Sequence, residues 1–374
     1  EFPNSQIVVE SSNIRAYSDD EYRQAGIQVV SDLSDCDVLF GIKEAAIESL
    51  IPNKHYFFFG HIAKRQAYNR PLIQALMRKG ITFSDYEYLV DDAGKRVCAF
   101  GWWAGIVGAY YTLRGYGLRY HTFSLPKPNL KFTLEKLTAA FLSVQLPAIK
   151  IIITGNGRVS QGAQYILDKV GAKRLTQEQF LSSDTVCQLS YTVADVDTLV
   201  RPIDDNQSFT FDHFLAHPEQ YKSDFMRFAK SADMLLCGHF WAPNNPVYLT
   251  QDDFLEPDFR IKMIGDITCD IMGSVQSTLR SSTHDDPFYD YNPVTRQEEP
   301  AFSNENNITI EAVDTCPNAL AIDTSAYFGE MLTKYVFRPL LSRQDSPIIT
   351  RSTILDKGEL TPRFDYLTDF AKGK

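Results

Sequence analysis

Lys150-Ile151-Ile152-Ile153-Thr154-Gly155-Asn156-Gly157-Arg158-Val159-Ser160-Gln161-Gly162 is the stretch whose reading decides the fold. The β-branched run at 151–153 has the length and composition of a strand buried on both faces. It passes straight into a glycine turn. Beyond the turn, Val159, Ala163, Ile166 and Val170 recur at i, i+4, i+7 and i+11, one face of a helix, and Gly171 is its natural stop. Strand, glycine turn and helix in that order form a dinucleotide-type unit. Gly155 and Gly157 allow a tight turn and close backbone approach to a pyrophosphate, while the helix N-terminus offers unpaired N–H groups and a positive dipole end. Position 160, where a third glycine usually falls, is Ser160, and Gly162 comes two residues later. Gly155, Gly157 and Gly162 are therefore the candidate cofactor glycines. The competing reading, a purely structural turn, is disfavoured by the strand before and the helix after.

The next short strand is read at 172–175, followed by Thr176-Gln177-Glu178. An acidic residue is expected near its end for the ribose hydroxyls of NAD. Thr176 and Glu178 are the candidates for that position, whereas Lys173 and Arg174 suit a 2′-phosphate. The reading leans to NAD and leaves NADP open.

Working outward, short apolar strands alternate with helices or polar stretches at 7–10, 27–30, 37–41 and 55–60, a βαβ pattern. Later buried strands are read at 234–238, 262–266 and 308–314, and helices at 104–120, 134–144 and 324–341. The acidic stretches 181–210 and 281–307 read as surface loops or insertions.

The 374 residues suggest about two domains at roughly 150 residues each. The net charge, 37 − 47 = −10, disfavours nucleic acid, whose phosphates need a basic surface. No run approaches the length of a membrane-crossing helix. The six cysteines, Cys36, Cys98, Cys187, Cys237, Cys269 and Cys316, are scattered without a C-x-x-C pair, the pattern of reduced thiols in a cytoplasmic protein, with the spacing leaving a single disulfide open. The opening Glu1-Phe2-Pro3-Asn4 is neither an initiator Met nor a signal peptide, so a start inside a longer gene product is expected. His213 and His217, four apart, can share a helix face, but no third ligand is evident and no metal is expected. His239 at a strand end either lines the nicotinamide site or is structural.

Lys43 in Gly41-Ile42-Lys43-Glu44 and His61 in Phe59-Gly60-His61 both follow strands. In α/β sheets functional groups gather at the carboxyl ends of strands, and lysine with histidine there can share a proton as general acid and base. A surface lysine and a strand-end histidine are the plainer reading of the same residues.

Four further runs extend the pattern: Phe58-Phe59-Gly60-His61, Asp85-Tyr86-Glu87-Tyr88-Leu89, Gly94-Lys95-Arg96-Val97-Cys98-Ala99-Phe100-Gly101 and Gly265-Asp266-Ile267-Thr268-Cys269-Asp270. With Gly41–Glu44 and Val313-Asp314 they occur in an order that resembles the lysine-forming saccharopine dehydrogenases, relatives of alanine dehydrogenase and transhydrogenase. The resemblance implies catalytic roles for Lys43 and His61. It implies substrate contacts for Glu44, Lys64, Gln66, Glu87, Arg96, Phe100, Asp266, Ile267 and Thr268. It implies cofactor contacts for Lys95, Gly157, Arg158, Gly265, Val313, Asp314, Thr315 and Cys316. Family members also carry an arginine-bearing segment before the point where this chain starts.

The expected architecture is α/β, with two Rossmann-like domains, each a mostly parallel sheet flanked by helices, and an interdomain cleft. Residues 1–104 plus 321–374 form the expected substrate and catalytic domain, and 105–320 the dinucleotide domain. The expected activity is NAD-dependent oxidative deamination of saccharopine to lysine and 2-oxoglutarate, or the reverse, through an imine. An alanine-dehydrogenase-like or other opine-type enzyme is the alternative, and a non-catalytic nucleotide-binding homologue the rival from another class. The expected partner is a small amino-acid or opine substrate, with no nucleic acid or membrane, in a monomer or homodimer.

Overall fold

The computed structural model describes residues 5–373, so the reading of Glu1–Asn4 lies outside the described residues. The chain divides into two compact units, Glu1–Ala99 with Ser325–Lys374, and Phe100–Thr324.

The first unit opens with β1 (Val8–Glu10), α1 (Asp19–Gln24) and β2 (Gln28–Val30), the two strands pairing in parallel. Ser18 and Glu21 close a reciprocal capping box at the start of α1. The parallel strands β3 (Val38–Phe40), β4 (His55–Phe58) and β5 (Thr82–Asp85) follow. The helix α2 (Arg70–Arg78) crosses from β4 to β5 and buries Leu72, Ile73, Ala75 and Leu76, one stripe of an amphipathic helix. This sheet turns the carboxyl ends of β3, β4 and β5 to one edge, where Gly41–Lys43, Phe59–His61 and Tyr86–Tyr88 leave it.

The second unit starts with α3 (Gly101–Tyr120), buried along most of its length, and α4 (Leu134–Leu142). There follow β6 (Lys150–Thr154), α5 (Arg158–Lys169), β7 (Lys173–Arg174), α6 (Gln177–Ser182), β8 (Ser190–Ala194) and α7 (Val196–Leu199). A small antiparallel pair, β9 (Val200–Pro202) and β10 (Tyr221–Ser223), precedes β11 (Met234–Cys237) and β12 (Met263–Asp266). The hairpin β13 (Phe288–Asn292) and β14 (Gln297–Glu299) leads to β15 (Ile308–Glu311). The helix Ala321–Leu332 returns the chain to the first unit. There β16 (Thr353–Asp356) and β17 (Glu359–Leu360) complete the sheet in the order β17-β16-β5-β4-β3.

The large sheet runs β14-β13-β15-β12-β11-β6-β8-β7. Its strands from β7 to β15 are parallel, and β13 and β14 are antiparallel. Ile151, Ile152 and Ile153 are wholly buried in β6, as their composition predicts, each gaining about 1.5–3 kcal/mol from burial. The α/β reading with parallel sheets flanked by helices therefore holds.

Two loop expectations fail. The stretch 181–210 contains β8, which pairs directly with β6, and 281–307 contains the hairpin β13–β14. Ser190-Tyr191-Thr192-Val193 carries strand-forming residues, but short length and acidic flanks hide that preference from the local pattern.

Candidate functional site

The first unit gathers a charged cluster at the carboxyl edge of its sheet. His61 leaves β4 in the left-handed conformation, φ 51, which a non-glycine residue adopts only when its surroundings enforce it. Gly60 makes the exit possible: a Cβ there would lie 2.7 Å from the Phe83 ring. The His61 imidazole sits between two carboxylates, its Nδ1 3.5 Å from Glu87 Oε1 and its Nε2 4.0 Å from Glu44 Oε1. Lys64 Nζ lies 3.5 Å from both His61 Nδ1 and Glu87 Oε1, and Arg96 reaches the same oxygen at 3.7 Å. Glu87 is the hub, with its side chain only 7% exposed. Burial pushes its carboxyl up, but the hydrogen bond with His61 and the charges of Lys64 and Arg96 outweigh this and hold it at about 2.

Asp85 lies beneath this cluster, wholly buried at the end of β5. Its two oxygens accept from different N–H groups, Oδ1 from Glu87 at 2.8 Å and Oδ2 from Gly60 at 3.1 Å. Burial raises its carboxyl to about 7, against the pull of the Glu87 N–H. Sequence reading quoted Asp85 in a motif without giving it a role.

Lys43 is exposed in the segment after β3. Among the described residues no hydrogen bond or ion pair joins it to His61. Gln66 is exposed one turn beyond His61, and Lys95 and Arg96 lie in the turn that closes on Asp91.

The second unit holds the glycine turn. Gly155 has φ 80 and donates its N–H to Ala194 O at 2.8 Å, tying the turn to the end of β8. A Cβ on Gly155 would lie 2.6 Å from His239 Cα, whereas one on Gly157 would meet open space. Gly157 caps α5, with Arg158 as its first residue. An open glycine at a helix N-terminus, beside a strained turn, fits a pyrophosphate. The third-glycine problem is solved from the other side: a Cβ on Gly238 would lie 3.0 Å from Ser160 N. Gly238, just past β11, makes room for Ser160 of α5.

His239 is partly buried, and desolvation holds its imidazole down to about 3. Its ring nitrogens lie 2.6 Å from Thr154 Oγ1 and 2.8 Å from Ser274 Oγ, so it braces the strand end that carries the turn.

Several residues expected at the cofactor or substrate sit differently. Gly162 lies inside α5 against α3, where a Cβ would meet Trp102 O at 1.9 Å. Its smallness serves helix packing, matched by Gly105 against Val159 O. Gly265 lies in β12 against Thr112 of α3. The Asp266 carboxylate is buried and accepts from Thr268 N, Thr268 Oγ1 and Thr278 Oγ1, while Ile267 packs over Gly108. Val313 and Cys316 are buried, Asp314 is exposed, and Thr315 O lies 2.9 Å from His284 Nε2. Phe100 immediately precedes α3.

Thr176 and Glu178 lie away from the glycine turn's own strand. β7 is the outer edge strand, separated from β6 by β8. The Thr176 hydroxyl is committed to capping α6, in a box with Gln179, and Glu178 lies within that helix. The carboxyl end of the strand beside β6 belongs to β8, and the residue after it is the exposed Asp195, next to the Ala194 that holds Gly155. The sequence pattern of 181–210 reads as a loop and gives no sign that Asp195 ends a strand of the sheet.

His213 and His217 have ring centroids 5.0 Å apart, with His213 Nδ1 3.0 Å from Tyr221 OH. Among the described residues no cluster of three or more His, Cys, Asp or Glu side chains is arranged to hold a metal ion. No described helix is long and apolar enough to cross a membrane.

Residues 3–107 match the family described as alanine dehydrogenase/PNT, N-terminal domain. Alpha-aminoadipic semialdehyde synthase of Arabidopsis thaliana is 28% identical over 98% of this chain and 38% of its own length. The mitochondrial enzyme of the same name from Bos taurus is 27% identical over 97% of this chain and 44% of its own. This chain thus spans less than half the length of these relatives. Saccharopine dehydrogenase [NAD(+), L-lysine-forming] of Candida glabrata is 31% identical over 48% of this chain and 52% of its own length. Among solved structures, an L-alanine dehydrogenase superposes with a TM-score of 0.64 at 16% identity, covering 98% of this chain and 92% of that one. The transhydrogenase of Sinorhizobium meliloti superposes with a TM-score of 0.54 at 13% identity, covering 92% and 87%. These two likenesses carry the fold. The chain is similar to a saccharopine dehydrogenase over about half its length and shares its architecture with alanine dehydrogenase.

Proposed function

We propose that this chain is a nicotinamide-dependent oxidoreductase acting on an N-substituted amino acid, with saccharopine as its substrate, giving lysine and 2-oxoglutarate or running in reverse. The observation that carries this reading is the imidazole of His61 held between Glu44 and Glu87 with Lys64 and Arg96 alongside. The sequence likeness to saccharopine dehydrogenases supports it.

A nicotinamide bound at the second unit supplies the hydride acceptor. The chain's own residues supply the rest. The N–H groups at the start of α5 and the open backbone at Gly157 hold the pyrophosphate. Asp195 hydrogen-bonds the ribose hydroxyls, which favours NAD over NADP because a carboxylate repels a 2′-phosphate. Lys64 and Arg96 pair with substrate carboxylates. Removal of hydride from the carbon bearing the neutral secondary amine leaves a protonated imine. Water adds to it, and the carbinolamine breaks its C–N bond to give an amine and a 2-oxo acid. His61 takes the proton from the attacking water and returns one to the departing nitrogen, with Lys43 as the second proton carrier.

The test is reduction of NAD and NADP followed at 340 nm with saccharopine, alanine and other opines, and oxidation of the reduced cofactors with the corresponding amine and oxo-acid pairs. Turnover of saccharopine is the expected result. Turnover of alanine with pyruvate alone would replace the substrate, and no turnover with any pair would sink the enzymatic reading.

A further inference from the structure

Asp85 is capable of more than its local role. As the residue before the turn Tyr86–Tyr88 it caps that turn through the Glu87 N–H. A cap uses one oxygen. The other accepts from Gly60, 25 residues away in sequence and immediately before His61. The peptide beyond is pinned as well, because Asn69 Nδ2 donates to His61 O at 3.2 Å. A left-handed residue such as His61 persists only where its neighbours over-determine it, and these two contacts bracket it.

We propose that Asp85 is the positioning residue of the proton-transfer site, its one carboxylate fixing His61 through Gly60 and fixing Glu87 through that residue's own N–H. The inference rests on the reading of His61 as a proton carrier. One rigid buried group thereby sets both sides of the 3.5 Å His61–Glu87 contact. Misplacing either partner by about 1 Å is enough to cost on the order of 10²-fold in rate. The ionisable groups bearing on Asp85 are Glu87, Tyr86 and Tyr88 from the turn after β5 and His61 from the segment after β4, with Lys64 and Arg96 acting through Glu87.

Asp85→Asn separates positioning from capping. Asn and Asp cap equally well, so a mere cap survives the change. A bridging carboxylate does not, because the amide NH₂ must face either the Gly60 or the Glu87 N–H. The expected result is a folded variant whose kcat falls by about 10–100-fold and whose dinucleotide Kd stays within about twofold, with the His61 ring signals displaced in the NMR spectrum. In the wild-type protein, the Gly60 and Glu87 amide signals should move together through one titration. That measurement needs no variant, so it decides the matter if Asp85→Asn fails to fold. Separate titrations of the two amides, or a variant with unchanged kcat and unmoved His61 ring signals, would overturn the proposal. If the wild-type protein turns over no substrate, the NMR results still read Asp85's positioning role, and only the reaction assignment falls.

Discussion

His61 Nδ1 lies 3.5 Å from Glu87 Oε1, and that same oxygen is approached by Lys64 and Arg96. Three cationic or proton-carrying groups on one carboxylate make Glu87 the electrostatic anchor of the first unit's charged edge. Its position determines what the cluster does at different pH and when members are removed.

Changing His61 to Gln, or Lys43 to Met, should lower kcat by about 10²–10⁴-fold, the usual worth of positioned acid–base catalysis. Dinucleotide affinity, measured by fluorescence titration, should hardly change, because both residues belong to the first unit and the glycine turn to the second. Near-normal turnover in both variants would remove the proton-transfer assignment. Lys43 is the more exposed to failure, since no described contact joins it to His61.

Glu87 should make the fold sensitive to acid. Its folded carboxyl titrates at about 2, below the ordinary 4.5. A depressed acid contributes stability that is present above about pH 4.5 and is lost as pH falls toward 2. Discounted for the half-exposed Lys64 and Arg96, the contribution is on the order of 1–2 kcal/mol. Urea melts of wild type and Glu87→Gln should converge as pH drops from 5 to 2.5. Parallel curves across that range would show that Glu87 is not the anchor.

Glu311 should behave with the opposite sign. It is wholly buried at the end of β15, beside Asp266, with Oε1 accepting from Val313 N at 3.1 Å. Desolvation raises its carboxyl to about 8. A raised acid contributes stability below its unfolded value that is lost as pH climbs toward 8. Glu311→Gln keeps the shape and the acceptor but cannot ionise. Thermal melts should find it close to wild type at pH 5 and more stable at pH 9; a variant less stable than wild type at pH 9 contradicts the assignment.

Asp195 and Thr176 offer a paired test of the ribose position. Asp195→Ala should weaken NAD binding by about tenfold, near 1.4 kcal/mol, and narrow the preference over NADP. Thr176→Ala should lower stability by about 1 kcal/mol through the lost cap of α6 and leave cofactor choice alone. The reverse pattern would return the ribose to the edge strand.

Gly162→Ala gives a sign test of the packing between α3 and α5. Helix propensity alone makes alanine better by about 1 kcal/mol. The backbone carbonyl of Trp102, 1.9 Å from the new Cβ, cannot be displaced without moving α3. Destabilisation by more than about 1 kcal/mol is expected in denaturant melts, and any stabilisation would contradict the close approach.

The glycine turn was legible because its signal is local. A β-branched run, glycines and a 3.6-residue stripe lie within about twenty residues, and each alone fixes backbone preference. The same holds for the strands that carry Gly41–Glu44 and Phe58–His61. The strand β8 was not legible. Its five residues pair with β6, forty positions earlier, and nothing within a short window reports which strand a segment will join. Thr176 follows a strand, but that strand is the sheet edge, whereas the strand beside β6 ends next to Asp195.

What the sequence determined by itself is therefore the alternation of strands and helices, the parallel α/β class and the turn at Gly155–Gly157, all set by local propensity and periodicity. Tertiary structure alone decided strand order, the convergence of His61, Glu44, Glu87 and Arg96, the burial that raises the carboxyls of Asp85 and Glu311, and the charges that lower that of Glu87. Those depend on distances between residues far apart in the chain and on the exclusion of water around them. Both arise only when the apolar faces have packed.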